Sequence, residues 1–564
     1  MKDLTTEQRL MLAVVLTGLM FLAMSYFSPP PPPADETAAE ITAEDTSGGA
    51  PPPEVATAEE EKPATEPTPE EEPPQPIEAT QQETLTVETD RYRVKFSNRG
   101  GVVLSWILKD YTDGEGNPLD LVNAGAQELP GGNAIPAPFS MIFPERPPEI
   151  DPNTSLLSMV RTADGVRFDF SARGTQIQKS FQFEPDTYLV NVTSRVTVNG
   201  IGLPHLLTWR GGFGDNTVAN PSSAESGVYY EGGLEKTNSG DADEPPVTVT
   251  GNFGFAGIED KYFSAVALKD DNSGSTLDFE TLADVVPTDD DKEAERVGVG
   301  VGGSANNQLR FFVGPKDRDI LASIDPRLDD MINWGFFGFL ARPMFFLLVL
   351  TDSITHNYGW AIVGVTFLVN LVLTPLRVSA IKSQRKMAAI QPLMNAINEK
   401  YKGLPMNDPK RANQREEMSA LQEEHGVSMT GGCVPMLMQM PVFLAFYTVL
   451  GVAIELRHAG WLWVGDLSQP ETLGIRILPV LLVVTQFLSQ RMTPNAGMDP
   501  SMQKSMMLMP LVFGFMFYYQ SAGLVLYWLT SNVIGIGQQA VLNRVYPPLP
   551  KVQVIPPAKK KKKR

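Results

Sequence analysis

The sequence predicts a multidomain α+β membrane protein: a β-sandwich held outside the bilayer, then a helical membrane core that carries a basic helical hairpin. Three observations predict it. Apolar residues alternate with polar ones from about residue 91 to 314, apolar runs of span length recur after residue 350, and Lys and Arg cluster between certain of those runs and at the C-terminus.

Composition sets the bounds. The chain has 564 residues and a formal net charge of −20, but nearly all the excess acid lies within residues 35–90, where Lys62 is the only basic residue. The segments flanking the later apolar runs are basic instead, so charge is partitioned by compartment. The single cysteine, Cys433, excludes an internal disulfide framework and argues against a cysteine metal cage. There is no GxxxxGK[ST] phosphate loop to power a nucleotide-driven machine.

In chain order, the apolar run 10–27 follows Lys2 and Arg9 and reads as an anchor or a signal peptide. Its length, and bulky Tyr26 and Phe27 after the small-x-small candidate Ala23-Met24-Ser25, favour an N-terminal transmembrane anchor over residues 1–27. Residues 28–84, rich in Pro, Glu, Ala and Thr, have too little apolar surface to fold and read as a disordered, self-repelling tether.

A β-sandwich is expected over 85–321. Tyr92, Val94 and Phe96 alternate with Arg91, Arg93 and Lys95, Asn98-Arg99-Gly100-Gly101 supplies a turn, and Val102, Leu104, Trp106 and Leu108 resume one face. The pattern returns at Val166/Phe168/Phe170, Ile177/Phe181/Phe183 and Tyr188/Val190/Val192. His205 is the only histidine here, which argues against His–carboxylate sugar chemistry. Trp209, Tyr229 and Tyr230 suit core packing better than a cleft. Residues 322–350, with Asp325, Arg327, Asp329 and Asp330 before Trp334, Phe336, Phe337 and Phe339, and Arg342-Pro343 as an interruption, read as an interfacial amphipathic helix, with a short true span as the alternative.

The membrane core is expected over 351–545. Residues 357–377 are long enough to cross the bilayer and put Thr366 and Asn370 one turn apart near its middle, either sealed in a helix–helix seam or lining a wet cavity; the recurrence of the pattern in later spans favours the cavity. A cytoplasmic helical hairpin follows over 380–428: Met387, Ile390, Met394, Ile397 and Tyr401 form a narrow stripe that Met418, Leu421 and His425 can meet. Its second helix starts at Asp408 as cap with Pro409 at the first position, and His425 is a surface residue. Further spans are read at 431–454, at 474–490, and on either side of Gln520-Ser521 within 506–542. With the basic tail, 546–564, ending in Lys559, Lys560, Lys561, Lys562, Lys563 and Arg564, loop charge puts both chain ends in the cytoplasm and the sandwich outside, with six spans in all.

The later spans carry Thr366, Asn370, Gln439, Gln486, Thr530, Ser531, Asn532, Gln538 and Gln539 but no mid-membrane acid, unlike an ion-coupled transporter. Methionines crowd the inner side, including Met436, Met438, Met440, Met507 and Met509, as on a surface that accepts many apolar segments.

The runs Gly431-Gly432-Cys433-Val434-Pro435, Gln439-Met440-Pro441-Val442-Phe443-Leu444-Ala445 and Ser521-Ala522-Gly523-Leu524-Val525-Leu526-Tyr527, with Ser531-Asn532, resemble the YidC membrane-protein insertase family. The resemblance covers the whole chain. It implies a Gram-negative inner-membrane protein with a periplasmic β-supersandwich, a five-helix transmembrane core and a hydrophilic groove open to cytoplasm and lipid. It implies an insertase and chaperone rather than an enzyme, working alone or beside the Sec translocon, with no cofactor or metal. Expected partners are nascent membrane proteins, the ribosome through the basic tail and the phospholipid bilayer, with no role for DNA. The implied groove residues are Thr366, Asn370, Gln439, Met440, Pro441, Tyr527 and Trp528, with Met440, Pro441, Tyr527 and Trp528 placed to contact the incoming helix. Many members carry Arg, sometimes Lys, where this chain has Asn370; Arg377, two turns on, is expected at the cytoplasmic interface. The competing readings are a solute or lipid transporter and a membrane-anchored envelope sugar-binding protein. The first lacks internal repeat symmetry, and the second would not need a polar, Met-rich bundle.

Overall fold

The computed structural model describes residues 77–547 and 550, apart from 128–133, 219–224, 242–245, 247, 270–275, 288–292, 406–407, 427–433 and 493–499. The expected anchor, residues 28–76 of the expected tether and the basic terminal residues lie outside the described residues, as does Cys433; residues 77–84, read as the end of the tether, instead pack on the sheet domain, where Ile77 bridges Ser171 and the Ala79 amide donates to the Leu156 carbonyl at 3.1 Å.

The alternation of the sequence becomes antiparallel sheet. Strands Tyr92–Ser97 and Val102–Thr112 pair in a four-stranded sheet, a ten-stranded sheet runs through Gly165–Ala172, Thr175–Phe183 and Leu189–Val198, and a five-stranded sheet is built on Leu277–Pro287 and Glu293–Gly302. Tyr92, Val94 and Phe96 are buried while Arg93 and Lys95 are exposed, as period-two alternation requires. Gly100 in the turn has φ +75°, and a Cβ there would sit 2.6 Å from the Asn153 carbonyl oxygen, so only glycine fits. Trp106, Phe139, Phe181, Phe183 and Trp209 interlock in the core, where Trp106 and Phe139 centroids are 6.0 Å apart. Trp209 is therefore a core residue; Tyr229 and Tyr230 are half-buried against Phe253 and Phe255.

One residue breaks the apolar face. Lys179 lies between Ile177 and Phe181 and is buried with them; its ammonium donates to the carbonyls of Gly100 (3.0 Å), Gly101 (3.1 Å) and Phe139 (2.8 Å). Burial pushes its pKa down to about 7. His205 is also buried, between Ser194 Oγ (2.8 Å) and the Leu203 carbonyl (2.9 Å), and burial pushes it down to about 4.

Helices follow the sheets: α1 (Arg318–Ile324), α2 (Gly338–Thr355), α3 (Tyr358–Lys400), α4 (Lys410–Glu424), α5 (Val434–Val452), α6 (Ile477–Met492), α7 (Pro500–Phe517) and α8 (Ala522–Val545). By length and composition, α2 and α3 are long and apolar enough to cross a membrane. The break between α7 and α8 falls at Gln520-Ser521, where the sequence put it.

The segment 322–350 differs from the expected amphipathic helix. It comprises the end of α1, a 3-10 turn at Pro326–Met331 and the first part of α2, which runs straight through Pro343. Pro343, the sixth residue of α2, forfeits its own amide's bond and crowds the Phe339 carbonyl, a cost the helix bears without ending. Nor is α2 amphipathic: Ala341, Met344, Phe345 and Leu348 are buried, and the exposed side carries Phe339, Phe346, Val349, Leu350 and Ile354. The charges are used locally, Arg342 reaching Asp329 at 3.2 Å and Arg327 pairing with Asp325 at 2.6 Å.

The second difference is continuity. The span at 357–377 and the first hairpin helix are one 43-residue helix, α3, with Pro375 and Pro392 inside it and Asn357 as its side-chain cap. At 1.5 Å per residue it is about 65 Å long. The hairpin itself is as read: Ile390 and Met394 form a core with Met387, Met418 and Leu421, and Asp408 caps α4 through the Lys410 amide at 2.8 Å. Pro409 sits at the cap position and the helix begins at Lys410, one residue after the expected start. His425 closes α4, half-buried, against the Leu421 carbonyl at 2.9 Å.

Candidate functional site

A polar ladder runs down one face of α3 at a spacing of four, which stacks side chains directly above one another. Thr366 Oγ1 donates to the Ile362 carbonyl (2.6 Å), Asn370 Nδ2 to the Thr366 carbonyl (2.8 Å), and Thr374 Oγ1 to the Asn370 carbonyl (2.8 Å). The facing helix is α8. Its Ser531 lies 3.4 Å from Asn370 Nδ2, and its Gln538 donates to Thr374 Oγ1 (2.9 Å) and the Asn370 carbonyl (3.4 Å). Gln538 Oε1 in turn accepts from Arg377 at 2.5 Å.

Of the two readings for Thr366 and Asn370, the buried seam describes this conformation. Thr366 has no exposure and Asn370 is 3% exposed. One atom is left over: among the described residues, buried Asn370 Oδ1 has no hydrogen-bond partner. A buried amide oxygen that accepts nothing costs roughly 1–3 kcal/mol, so this is a standing acceptor.

Tyr527, one turn before Ser531 on α8, joins the seam to α5. Its hydroxyl accepts from Gln439 Nε2 (3.1 Å) and its ring stacks on Phe446, centroids 4.3 Å apart at 9°. Trp528 lies in an aromatic cluster with Phe443 and Phe517, each 4.7 Å away. Met440 is 37% exposed and Pro441 half-buried, whereas Tyr527 is 2% exposed. Gln439 and Tyr527 are thus brought together, Thr366 and Asn370 reach them through Ser531, and Met440 alone of the set stands open. Met507 is 61% exposed; the side chains of Met436 and Met438 lie outside the described residues. Elsewhere Asn532 ties α8 to α6 through Gln486 (2.8 Å), and buried Arg385 ties α3 to the end of α8 through Asn543 (2.6 Å) and the Leu542 carbonyl (3.1 Å).

Sequence reasoning placed Arg377 at the interface. The structure half-buries it, with its guanidinium turned onto Gln538, so the seam does contain a fixed charge. The signal was available as Thr374, which completes a 362-366-370-374 ladder, and as the seven-residue spacing of Ser531 and Gln538.

A sheet-rich domain joined to apolar helices with a polar inner seam defines a membrane protein with a large extramembrane domain. The family described as the YidC periplasmic domain matches residues 84–347, and that described as the 60Kd inner membrane protein matches 349–548. The chain is 33% identical over 491 residues to the membrane protein insertase YidC of Oleidesulfovibrio alaskensis, covering 82% of this chain and 86% of that protein. It is 31% identical over 512 residues to that of Cupriavidus metallidurans, covering 86% and 87%. Among solved structures, an active YidC insertase with its first transmembrane domain resolved aligns over 82% of this chain and 93% of that one, at 18% identity and TM-score 0.34. This chain belongs to the YidC membrane protein insertase family.

Proposed function

We propose that the α3–α8 seam is where this insertase receives the polar part of a nascent membrane protein, while the span itself slides past Met440 into lipid. The partnerless Asn370 Oδ1 carries the reading: a standing acceptor, in helices otherwise built for lipid, is ready for a donor from water or from a substrate backbone. Crossing lipid is costly for a polar tail, and each Leu-type residue of a span gains about 0.3–0.6 kcal/mol on insertion. A seam that opens to water lowers the first cost, and the substrate supplies the drive. No bond is made or broken.

The topology that fits is an inner-membrane protein with both termini cytoplasmic, the sheet domain periplasmic and the α3–α4 hairpin cytoplasmic. Parity supports leaving α2 at the outer interface, because a spanning α2 would put the sheet domain and the hairpin on the same side. The residue 1–27 anchor, the five-helix core α3, α5, α6, α7 and α8, the ribosome at Lys559, Lys560, Lys561, Lys562, Lys563 and Arg564, and cooperation with the Sec translocon complete the proposal. Photo-crosslinking from Met440 to ribosome-bound nascent chains tests it. Crosslinks that track the substrate's span are expected, and their absence, with crosslinks only from lipid-facing Val372, would remove the seam from the pathway.

A further inference from the structure

A cavity of about 200 Å³ lies where the sheet domain meets the helical core, and none of its lining residues belongs to the seam. Lys236, Glu259, Asp260, Lys261 and Lys316 line it from the sheet domain; Met331, Ile332 and Asn333, with Val452 at the end of α5, close it from the other side.

Three ammonium groups meet two carboxylates there, and both carboxylates are already committed. Glu259 accepts Lys236 on Oε1 and Lys316 on Oε2, the latter at 3.2 Å. Asp260 is turned onto backbone, accepting the amides of Tyr262 (2.7 Å), Phe263 (2.6 Å) and Asp215 (3.3 Å). Among the described residues Glu259 is the one side-chain partner of Lys236 and of Lys316, although each ammonium has three donors. Lys261 is exposed, its Nζ 4.7 Å from the Tyr262 ring centroid. Lys316 is buried, and burial pushes its pKa down against the opposing pull of Glu259 and Asp260, so an anion in the cavity would favour its charged form. An anion with several oxygens would satisfy those donors together.

We propose that this cavity binds a phosphate group through Lys236, Lys261 and Lys316, presented as the headgroup of an anionic phospholipid. The lipid source follows from position. Immediately after the wall at 331–333, Phe336 is 91% and Phe339 75% exposed, and exposed apolar rings of this kind insert at the boundary of headgroups and acyl chains. The site uses none of the seam residues, and its lipid source rests on the proposed placement of α2 at the outer interface.

The test uses the full-length protein in mild detergent, with retention of phosphatidylglycerol against phosphatidylcholine read by native mass spectrometry, and inorganic phosphate as competitor. Wild type is expected to retain phosphatidylglycerol preferentially. Lys261→Gln, an exposed change that leaves the fold alone, and Lys236→Gln should each weaken retention about tenfold, the equivalent of one charge-assisted hydrogen bond. Lys95→Gln, on a distant exposed strand position, should change nothing. Displacement by millimolar phosphate with no lipid preference would keep the phosphate site and overturn its lipid source. Equal retention of the two lipids with no phosphate effect, or unchanged retention in both lysine variants while their thermal transitions stay intact, would overturn the site.

Discussion

The loop after α5 is fastened to the sheet domain by a buried ion pair, and cutting it should loosen that junction measurably. Arg457 donates to Asp215 across 242 positions of sequence, both side chains 4% exposed, with the guanidinium carbon 5.3 Å from the Phe263 ring centroid. Next to it His458 reaches the Thr112 carbonyl at 3.1 Å. Removing one member of a buried pair strands the other charge, which costs about 3–5 kcal/mol. The two ends should not be equal. In Arg457→Met, Asp215 keeps the Thr217 amide (3.0 Å) and hydroxyl (2.6 Å), so the loss should sit near the lower figure, about 3 kcal/mol. In Asp215→Asn the guanidinium, whose NH1 already lacks a partner, is left with less, and about 5 kcal/mol is expected. Hydrogen exchange of the full-length protein reads this locally. The Leu467 amide, bonded to the Ala459 carbonyl at 2.9 Å, should exchange at least about a hundredfold faster in either variant. An Arg457→Met/Asp215→Leu double variant should recover most of the protection, since an apolar pair of similar volume removes both buried charges. Exchange within about threefold of wild type in both single variants, the range of an exposed pair, would refute a desolvated link.

Insertion by this chain should depend only weakly on acidic tails in the substrate, because Arg377, the cation beside the Asn370 ladder, is already engaged by Gln538; Asn370→Arg should raise that dependence, read with matched acidic and neutralised substrates. A strong acidic preference in wild type that vanishes in Arg377→Ala would overturn this. Deleting residues 85–315 should leave insertion by the core largely intact, measured in a depletion background; abolished insertion by a folded, membrane-located core would move the activity off the helices. Neutralising residues 559–564 should weaken ribosome co-sedimentation in a salt-sensitive way, and unchanged binding at low salt would assign the tail to lipid. Glu455, pushed up to about 7 from an ordinary value near 4.5, chiefly by burial and also by Asp317 and Asp319, binds its proton more tightly in the folded state. Its contribution is therefore present at low pH and lost as pH rises from about 4.5 through 7. Glu455→Gln should flatten that slope and gain up to about 3 kcal/mol at pH 8, read by thermal unfolding across pH.

Much of the sheet domain was legible because burial in a strand repeats every two residues, and Val166, Phe168 and Phe170, or Ile177, Phe181 and Phe183, declare one face without reference to anything distant. Lys179 was not, since a charge on that face is acceptable only when three carbonyls from Gly100, Gly101 and Phe139 converge on it. The hairpin core was legible from the alternating spacing of Met387, Ile390 and Met394. The path of α2 through Pro343 was not, because proline's cost depends on how far it lies from the helix start. At the seam, Thr366 and Asn370 were legible as a pair, but their partners were not, because they come from α8 some 160 positions later. Arg457 and Asp215 share that difficulty: neither position carries any local sign of the other.

The continuity of α3 has a mechanical consequence. Its C-terminal end belongs to the hairpin and its other end carries the Asn370 ladder, with Pro375 between them, where the amide that would bond the Leu371 carbonyl is missing. Such a helix is a lever with its pivot close to the short arm. From Pro375 to Lys400 the long arm spans 25 residues, about 37 Å, so a swing of about 10° moves its tip by roughly 6 Å. The same rotation is a displacement of about 1 Å one turn from the pivot, at the level of Asn370. Whatever grips the hairpin thereby works at a mechanical advantage of several-fold over the hydrogen bonds that close α3 onto α8.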